Sequence, residues 1–260
     1  GTLGIITAAW LRLVPAPVAA VPVVAAYPSA DAGCEAVRQL VGSGVQAAAV
    51  EYLDRAALAA SAMSFPWPLP ADAGFLVIAE ADGDADGCRA VAEELAEVLG
   101  EGATALLRAE DRSEIAALWR WREGVSGAVQ ALHGGKVSED IAVPVDRLLE
   151  AVEATAAIGE RFGLDTCSWG HAGDGNLHST FLVDPASPDQ IGRAHEAASS
   201  LYEAAVGLGG SISGEHGLGV VKSASLGMQW GAEELRLHAA VKAAFDPAGV
   251  MNPGVKGTGS

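Results

Sequence analysis

The stretch Gly170-His-Ala-Gly-Asp-Gly-Asn-Leu-His178 places two histidines, His171 and His178, on either side of six residues, Ala, Gly, Asp, Gly, Asn and Leu. Its flanks, residues 166–169 and 179–183, are β-prone, and Asp174-Gly175 is a strong turn signal. The stretch therefore predicts a hairpin with two imidazoles facing each other across its mouth. Imidazole is the commonest nitrogen donor to a metal, and two such donors must converge within about 3–4 Å to share an ion. A third donor is available in Ser213-Gly-Glu-His-Gly-Leu-Gly219. There Glu215 and His216 lie between glycines, where backbone can approach a ligand closely. Two histidines and one carboxylate leave positions open on a metal, a catalytic rather than a structural pattern. The plainer reading is a pair of cross-strand surface histidines beside a tight turn. The second cluster weighs against it, because a Glu-His pair between glycines is costly to keep in a loop with no task.

Trp119-Arg-Trp-Arg122 is the other stretch that needs a reason. Tryptophans on a helix are usually core, and neighbouring arginines usually extend to solvent, which accounts for Arg120. Arg122 and Ser126, at i and i+4, share a helix face with Leu118. Cys34, Cys88 and Cys167 are few, odd in number and far apart, with no CxxC, which points to reduced thiols. Cys167, four residues before His171, reads as a buried strand cysteine before it reads as a ligand. His195 and His238 fall in expected helices as surface or packing residues, and His133 reads as an exposed helix-end histidine.

The elements that must position these residues alternate. Strands are expected over 21–27, 45–52, 74–81 and 103–108. Helices are expected over 30–41, from Asp54 to about 62, and over 85–99. Phe65-Pro-Trp-Pro-Leu-Pro70 can only be a loop. This half reads β-α-β twice, the ferredoxin-like signature. Asp111 and Glu114 form a capping-box pattern opening a helix from 112 to 132, which Gly124 and Gly127 each weaken by roughly 1 kcal/mol relative to Ala. A strand over 136–143, a helix over 145–162, the hairpin and a helix over 188–208 repeat the pattern in decayed form. A last helix over 233–245 stops at Asp246-Pro247. The expected fold class is α+β, a large antiparallel sheet with helices packed on it and ferredoxin-like β-α-β repeats.

The chain has 260 residues, half of them hydrophobic, and a formal net charge of −17. That charge opposes binding to nucleic acid and to anionic membranes, so an anionic substrate needs local cations. Residues 13–30 are uncharged and long enough to span a bilayer, but Pro15, Pro17, Pro22 and Pro28 exclude a transmembrane helix. The opening residues, 1–15, read as a strand with no partner of its own nearby.

The two motifs GHAGDGNLH and SGEHGLG, about forty residues apart, resemble the C-terminal domain of FAD-linked oxidases of the vanillyl-alcohol oxidase superfamily. Within it they resemble the group of D-lactate, glycolate and D-2-hydroxyglutarate dehydrogenases. Gly1-Thr-Leu-Gly-Ile-Ile-Thr7 and Asn252-Pro-Gly254 extend the resemblance to nearly the whole chain. It implies a metal on His171, His178 and Glu215, with zinc ranked first and manganese or iron suiting the same donors. It further implies His216 as general base, and a substrate carboxylate held by Arg122, Ser126 (where threonine is common) and Lys136. Asn252 is implied to lie at the cofactor, FAD, which would be bound mainly by another domain.

The resemblance thus implies that residues 1–20 end an N-terminal FAD-binding domain. Residues 21–245 would form the cap or substrate-binding domain, and 246–260 would return toward the flavin domain. The chain by itself is expected neither to hold FAD nor to turn over. Its expected partners are a small 2-hydroxy acid and the flavin domain, and its expected location is cytoplasmic or peripheral to a membrane. A free-standing His/His/Glu zinc hydrolase and a non-catalytic binding module are the alternative readings.

Overall fold

A computed structural model describes residues 1–109 and 111–257. Apolar runs and capping set the elements of the first half. β1 (Ala19–Tyr27), α1 (Ala30–Ser43), β2 (Ala49–Asp54) and α2 (Arg55–Ser61) are followed by β3 (Phe75–Gly83), α3 (Ala85–Gly100) and β4 (Ala105–Arg108). Ser29 and Asp54 cap α1 and α2, accepting from the backbone N–H groups of Ala32 and Ala57. The strands lie in the order β4-β1-β3-β2, all antiparallel, which is the ferredoxin-like arrangement the sequence predicts.

α4 (Arg112–His133) leads into the second half. Its N-cap Asp111 accepts from Ser113 and Glu114 N–H. β5 (Gly135–Ala142), α5 (Leu148–Phe162), β6 (Thr166–His171), β7 (Asn176–Val183) and α6 (Pro188–Gly207) follow. The order β5-β7-β6 reproduces three of the four ferredoxin-like strands, so the repeat is present but incomplete. Beside β5, where a fourth strand would pair, there is a single bridge from Ala142 to Ser211. Antiparallel pairing of β2 with β6 joins the halves into one sheet, seven-stranded among the described residues. α7 (Leu226–Gln229) and α8 (Ala232–Phe245) follow. Among the described residues, no helix is long and apolar enough to cross a membrane.

Period-two alternation gives the sheet two apolar faces. One is covered by α1, α3, α5 and α6 around Tyr27, Tyr52, Phe75 and Phe181. The other is covered by α2 and α4, which pack Leu58, Leu118, Trp121 and Val125 onto Leu53, Leu76, Ile78 and Trp169. Trp121 donates its indole N–H to Ser61 O at 2.9 Å, fixing α4 against the end of α2. Cys167 is buried in this second cluster, away from any ligand role.

Three expectations need correction. β2 begins at Ala49, four residues later than the pattern suggests, because its ladder with β3 starts only at the Ala49–Glu80 pair. The hairpin strands run further than their β-prone cores, through His171 on one side and from Asn176 on the other, leaving a four-residue turn. Gly175 makes that turn, at φ +74, under the Val143 carbonyl, where a Cβ would lie 1.9 Å from the oxygen. Third, residues 1–17 form no strand. They have no ladder partner among the described residues, and Ile5, Ile6 and Trp10 are exposed. Only the very start is held: Lys242 Nζ donates to Thr2 O at 2.5 Å, and Asn252 Nδ2 donates to Gly1 O at 2.6 Å.

A histidine and carboxylate cluster on one sheet face

The strand registers place the chemistry on the sheet face that carries α4. Glu51 lies opposite His171 across β2 and β6, His178 opposite Trp169 across β6 and β7, and Asp140 opposite His178 across β5 and β7. His171 pairs with Asn176, so the two hairpin histidines are diagonal rather than directly opposed, with ring centroids 5.4 Å apart. α4 covers the apolar part of the face and leaves this polar margin open to the loop after α6.

That loop brings Glu215 over the hairpin. One donor atom each from His171, His178 and Glu215 lie within 4.8 Å of one another. Glu215 Oε2 is 3.8 Å from His171 Nε2, and its Oε1 is 3.6 Å from His178 Nε2. Two imidazoles and one carboxylate are a donor set that fits a divalent cation such as zinc. Burial, then the neighbouring His171, push His178 down to about 4, so its ring is a neutral donor at ordinary pH. His171 moves the other way, its Nδ1 donating to Glu51 Oε1 at 2.7 Å and raising its pKa against the effect of burial. His216 stacks on His178 with centroids 5.6 Å apart, and its side chain is 62% exposed. Its Nε2 is 3.4 Å from Glu215 Oε1 and its Nδ1 is 3.7 Å from Asp140 Oδ1.

Glu215 and His216 hang from Asp140. Asp140 Oδ2 accepts from the backbone N–H of Glu215 at 2.7 Å, from that of His216 at 2.8 Å, and from Ser213 Oγ at 3.2 Å. Its other oxygen takes Lys222 Nζ at 2.6 Å, and Lys222 also donates to Asp140 O and Ile212 O. Burial pushes the Asp140 carboxyl up, but the Lys222 bond and the two N–H groups together hold it below the usual carboxylate range. Gly214 lets the loop press on Asn176, whose Oδ1 would lie 2.3 Å from a Cβ there. That buried oxygen has no hydrogen-bond partner among the described residues.

The remaining sequence candidates separate into three places. Arg122 reaches the cluster through Glu51, donating Nε at 3.0 Å and Nη2 at 2.5 Å to Oε2. Ser126 and Lys136 meet each other, with Lys136 Nζ donating to Ser126 O at 2.9 Å and to its Oγ, while lying over the Trp169 ring. Burial lowers the Lys136 pKa. Asn252 is tied to Gly1 and not to the cluster.

Glu51, Asp140 and Lys222 emerge only from the structure as members of the site. Each did leave a signal, a charged residue inside or at the edge of an apolar run: Val50-Glu-Tyr-Leu53, Asp140-Ile-Ala-Val143 and Val220-Val-Lys222. Charged residues in such runs are buried only when paired.

Comparison with known proteins gives a consistent answer. The family model described as FAD linked oxidases, C-terminal domain, matches residues 16–255. The glycolate oxidase subunit GlcD of Bacillus subtilis is 33% identical over 255 residues, covering 98% of this chain and 54% of that protein. GlcD of Escherichia coli (strain K12) is 31% identical over 255 residues, covering 98% of this chain and 51% of that protein. The probable mitochondrial D-lactate dehydrogenase of Danio rerio is 31% identical over 260 residues, with coverage of 98% and 51%. The chain thus spans about half the length of the curated relatives it matches. Among solved structures, 4-ethylphenol oxidase from Gulosibacter chungangensis superposes with a TM-score of 0.72 at 17% identity, over 96% of this chain and 55% of that one. Alkyldihydroxyacetonephosphate synthase superposes with a TM-score of 0.67 at 16% identity, over 97% and 48%. At these identities the superpositions establish a shared fold.

Proposed function

The chain belongs to the family of FAD-linked oxidase C-terminal domains, and from that premise we propose that it is the substrate- and metal-binding domain of an FAD-dependent dehydrogenase or oxidase of 2-hydroxy acids. The observation that carries the reading is the convergence of His171, His178, Glu215 and His216 on one sheet face, with Arg122 one carboxylate away.

Oxidation of a 2-hydroxy acid removes the hydroxyl proton and a hydride from the same carbon. His171, His178 and Glu215 would hold a divalent cation. When bound, such an ion supplies Lewis-acid polarisation of the hydroxyl oxygen, and a flavin held by the rest of the enzyme supplies the hydride acceptor. The residues present fit a flavin approaching from outside, since Glu215 and His216 leave the cluster open, with side chains 47% and 62% exposed. His216 takes the hydroxyl proton at Nε2, while its Nδ1 faces the Asp140 carboxylate, which steadies the imidazolium. Arg122 binds the substrate carboxylate. Its Nε and Nη2 are engaged by Glu51, and its Nη1 has no hydrogen bond among the described residues. Ser126 and Lys136 add a hydroxyl and a second cation, which an anionic substrate needs on a chain of net charge −17.

The surfaces that would meet the flavin domain are the residue 1–20 segment and the terminal segment from 246. Apolar exposure at Ile5, Ile6 and Trp10 in the first and at Val250 in the second supports this. Metal analysis of the purified chain and its variants tests the central claim. His171→Ala and His178→Ala should each lose most of the bound metal, whereas His216→Asn should retain it. Metal retained by His171→Ala would remove the basis of the reading, and metal lost by His216→Asn would make His216 a ligand instead of the base.

A further inference from the structure

We propose that Glu51 is the positioning residue of this site. Its single carboxylate sets which ring nitrogen of His171 faces the metal trio and holds Arg122 beside it. The inference rests on the metal reading above. Glu51 is 6% exposed in β2, and the ladder puts it directly opposite His171. Oε1 takes His171 Nδ1 at 2.7 Å, and Oε2 takes Arg122 Nε at 3.0 Å and Nη2 at 2.5 Å. With hydrogen on Nδ1, the neutral ring presents the lone pair of Nε2, the atom 3.8 Å from Glu215. A carboxylate that orients a metal-binding imidazole through its other nitrogen is a recurrent device in metal sites.

The demand on this position is specific. Both neighbours are donors, so both terminal atoms of the side chain must accept. A buried ion pair with Arg122 alone would need only one of the two oxygens. Glutamine has nearly the same shape but offers one acceptor and one donor. With its oxygen toward His171, its NH2 meets the N–H groups of Arg122. Turned over, its NH2 meets Nδ1, which must then accept, moving the ring hydrogen to Nε2 and blocking the lone pair. Glu51→Gln therefore cannot satisfy both neighbours while Arg122 is present, and can satisfy His171 once Arg122 is replaced by methionine.

The test uses the full chain in four forms: wild type, Glu51→Gln, Arg122→Met and the double variant. Zinc affinity is measured by calorimetric titration against a competing chelator. The His171 tautomer is read from ring 15N shifts in the metal-free chain, at a pH high enough for the ring to be neutral, and assigned by their loss in His171→Asn. The expected result is an Nδ1–H tautomer in the wild type and a zinc Kd about 10–100-fold weaker in Glu51→Gln. Tautomer purity should fall in that variant, and the double variant should regain affinity relative to it beyond what Arg122→Met alone gains. A purely structural pair with Arg122 would also couple the two positions, but it would leave the His171 tautomer unchanged.

Equal zinc affinity in Glu51→Gln and wild type overturns the proposal. An Nε2–H tautomer in the wild type also overturns it, a readout that needs no variant and holds even if Glu51→Gln fails to fold. If the wild type binds no zinc yet carries the Nδ1–H tautomer, the metal reading of the trio fails and the orienting contact made by Glu51 stands.

Discussion

Replacing Lys222 by methionine removes one charge and three hydrogen bonds while keeping most of the side chain's length. Lys222 is 5% exposed and lies 2.6 Å from Asp140 Oδ1 and 3.3 Å from Glu139 Oε2. Asp140 and Glu139 are themselves buried, so the variant leaves two carboxylates in the interior with no cation between them. Removing one partner of a buried pair costs about 3–5 kcal/mol, mostly as the uncompensated charge left behind. The loss should appear as a lower urea midpoint at pH 7 with an unchanged slope. Because Asp140 also carries the Glu215 and His216 backbone, zinc affinity should fall in parallel.

The pH dependence gives the argument its sign. In the wild type the Asp140 pKa is depressed, so the pair's contribution is complete above the unfolded value of about 3.9 and is lost as pH falls through the lower folded value. Without Lys222, burial acts with less opposition and the folded pKa rises. The variant can then protonate Asp140 on folding, and its deficit should shrink as pH falls from 7 toward 4. A deficit below about 1 kcal/mol at pH 7, flat with pH, would refute the claim that this pair holds the loop.

Three further outcomes follow from particular contacts. Under the proposed 2-hydroxy-acid reading, Arg122→Lys keeps the charge but loses the fork on Glu51 Oε2, and should weaken glycolate or D-lactate binding by roughly tenfold or more while leaving zinc affinity nearly unchanged, as calorimetry would report. His178, with its folded pKa pushed down to about 4 by burial, binds fewer protons folded than unfolded below about pH 6.5. Its share of stability, about 3 kcal/mol, should therefore disappear as pH falls from 6.5 to 4 in the metal-free chain, isolated as the difference between wild-type and His178→Gln urea curves. Gly175→Ala forces a side chain into φ +74 and against the Val143 carbonyl, and should lower stability by at least about 1–2 kcal/mol in thermal or urea unfolding.

Much of this protein is local and therefore legible in one dimension. The apolar runs of β1 and β3, the caps at Ser29, Asp54, Asp111 and Ser187, and the breaks at proline and glycine depend on a few neighbouring residues. They suffice to draw the α+β repeat and its antiparallel sheet. The histidines and Glu215 are conspicuous for the same reason: each sits in a short glycine-rich string.

Register and pairing are not local. Whether His171 and His178 oppose each other or lie diagonally depends on how many residues the turn takes, and that is set by the approach of Gly175 to Val143 in a different segment. Residues 1–15 read as a strand because strand propensity is a property of residues, whereas a strand needs an edge to pair with. Glu51 is the sharpest case. In sequence it is one carboxylate in an apolar run, 71 residues from Arg122 and 120 from His171. Only the joining of β2 to β6, with α4 laid across them, brings both donors to its two oxygens. A buried charge must be paired, and the sequence records that requirement, but the identity of the partner is decided by topology.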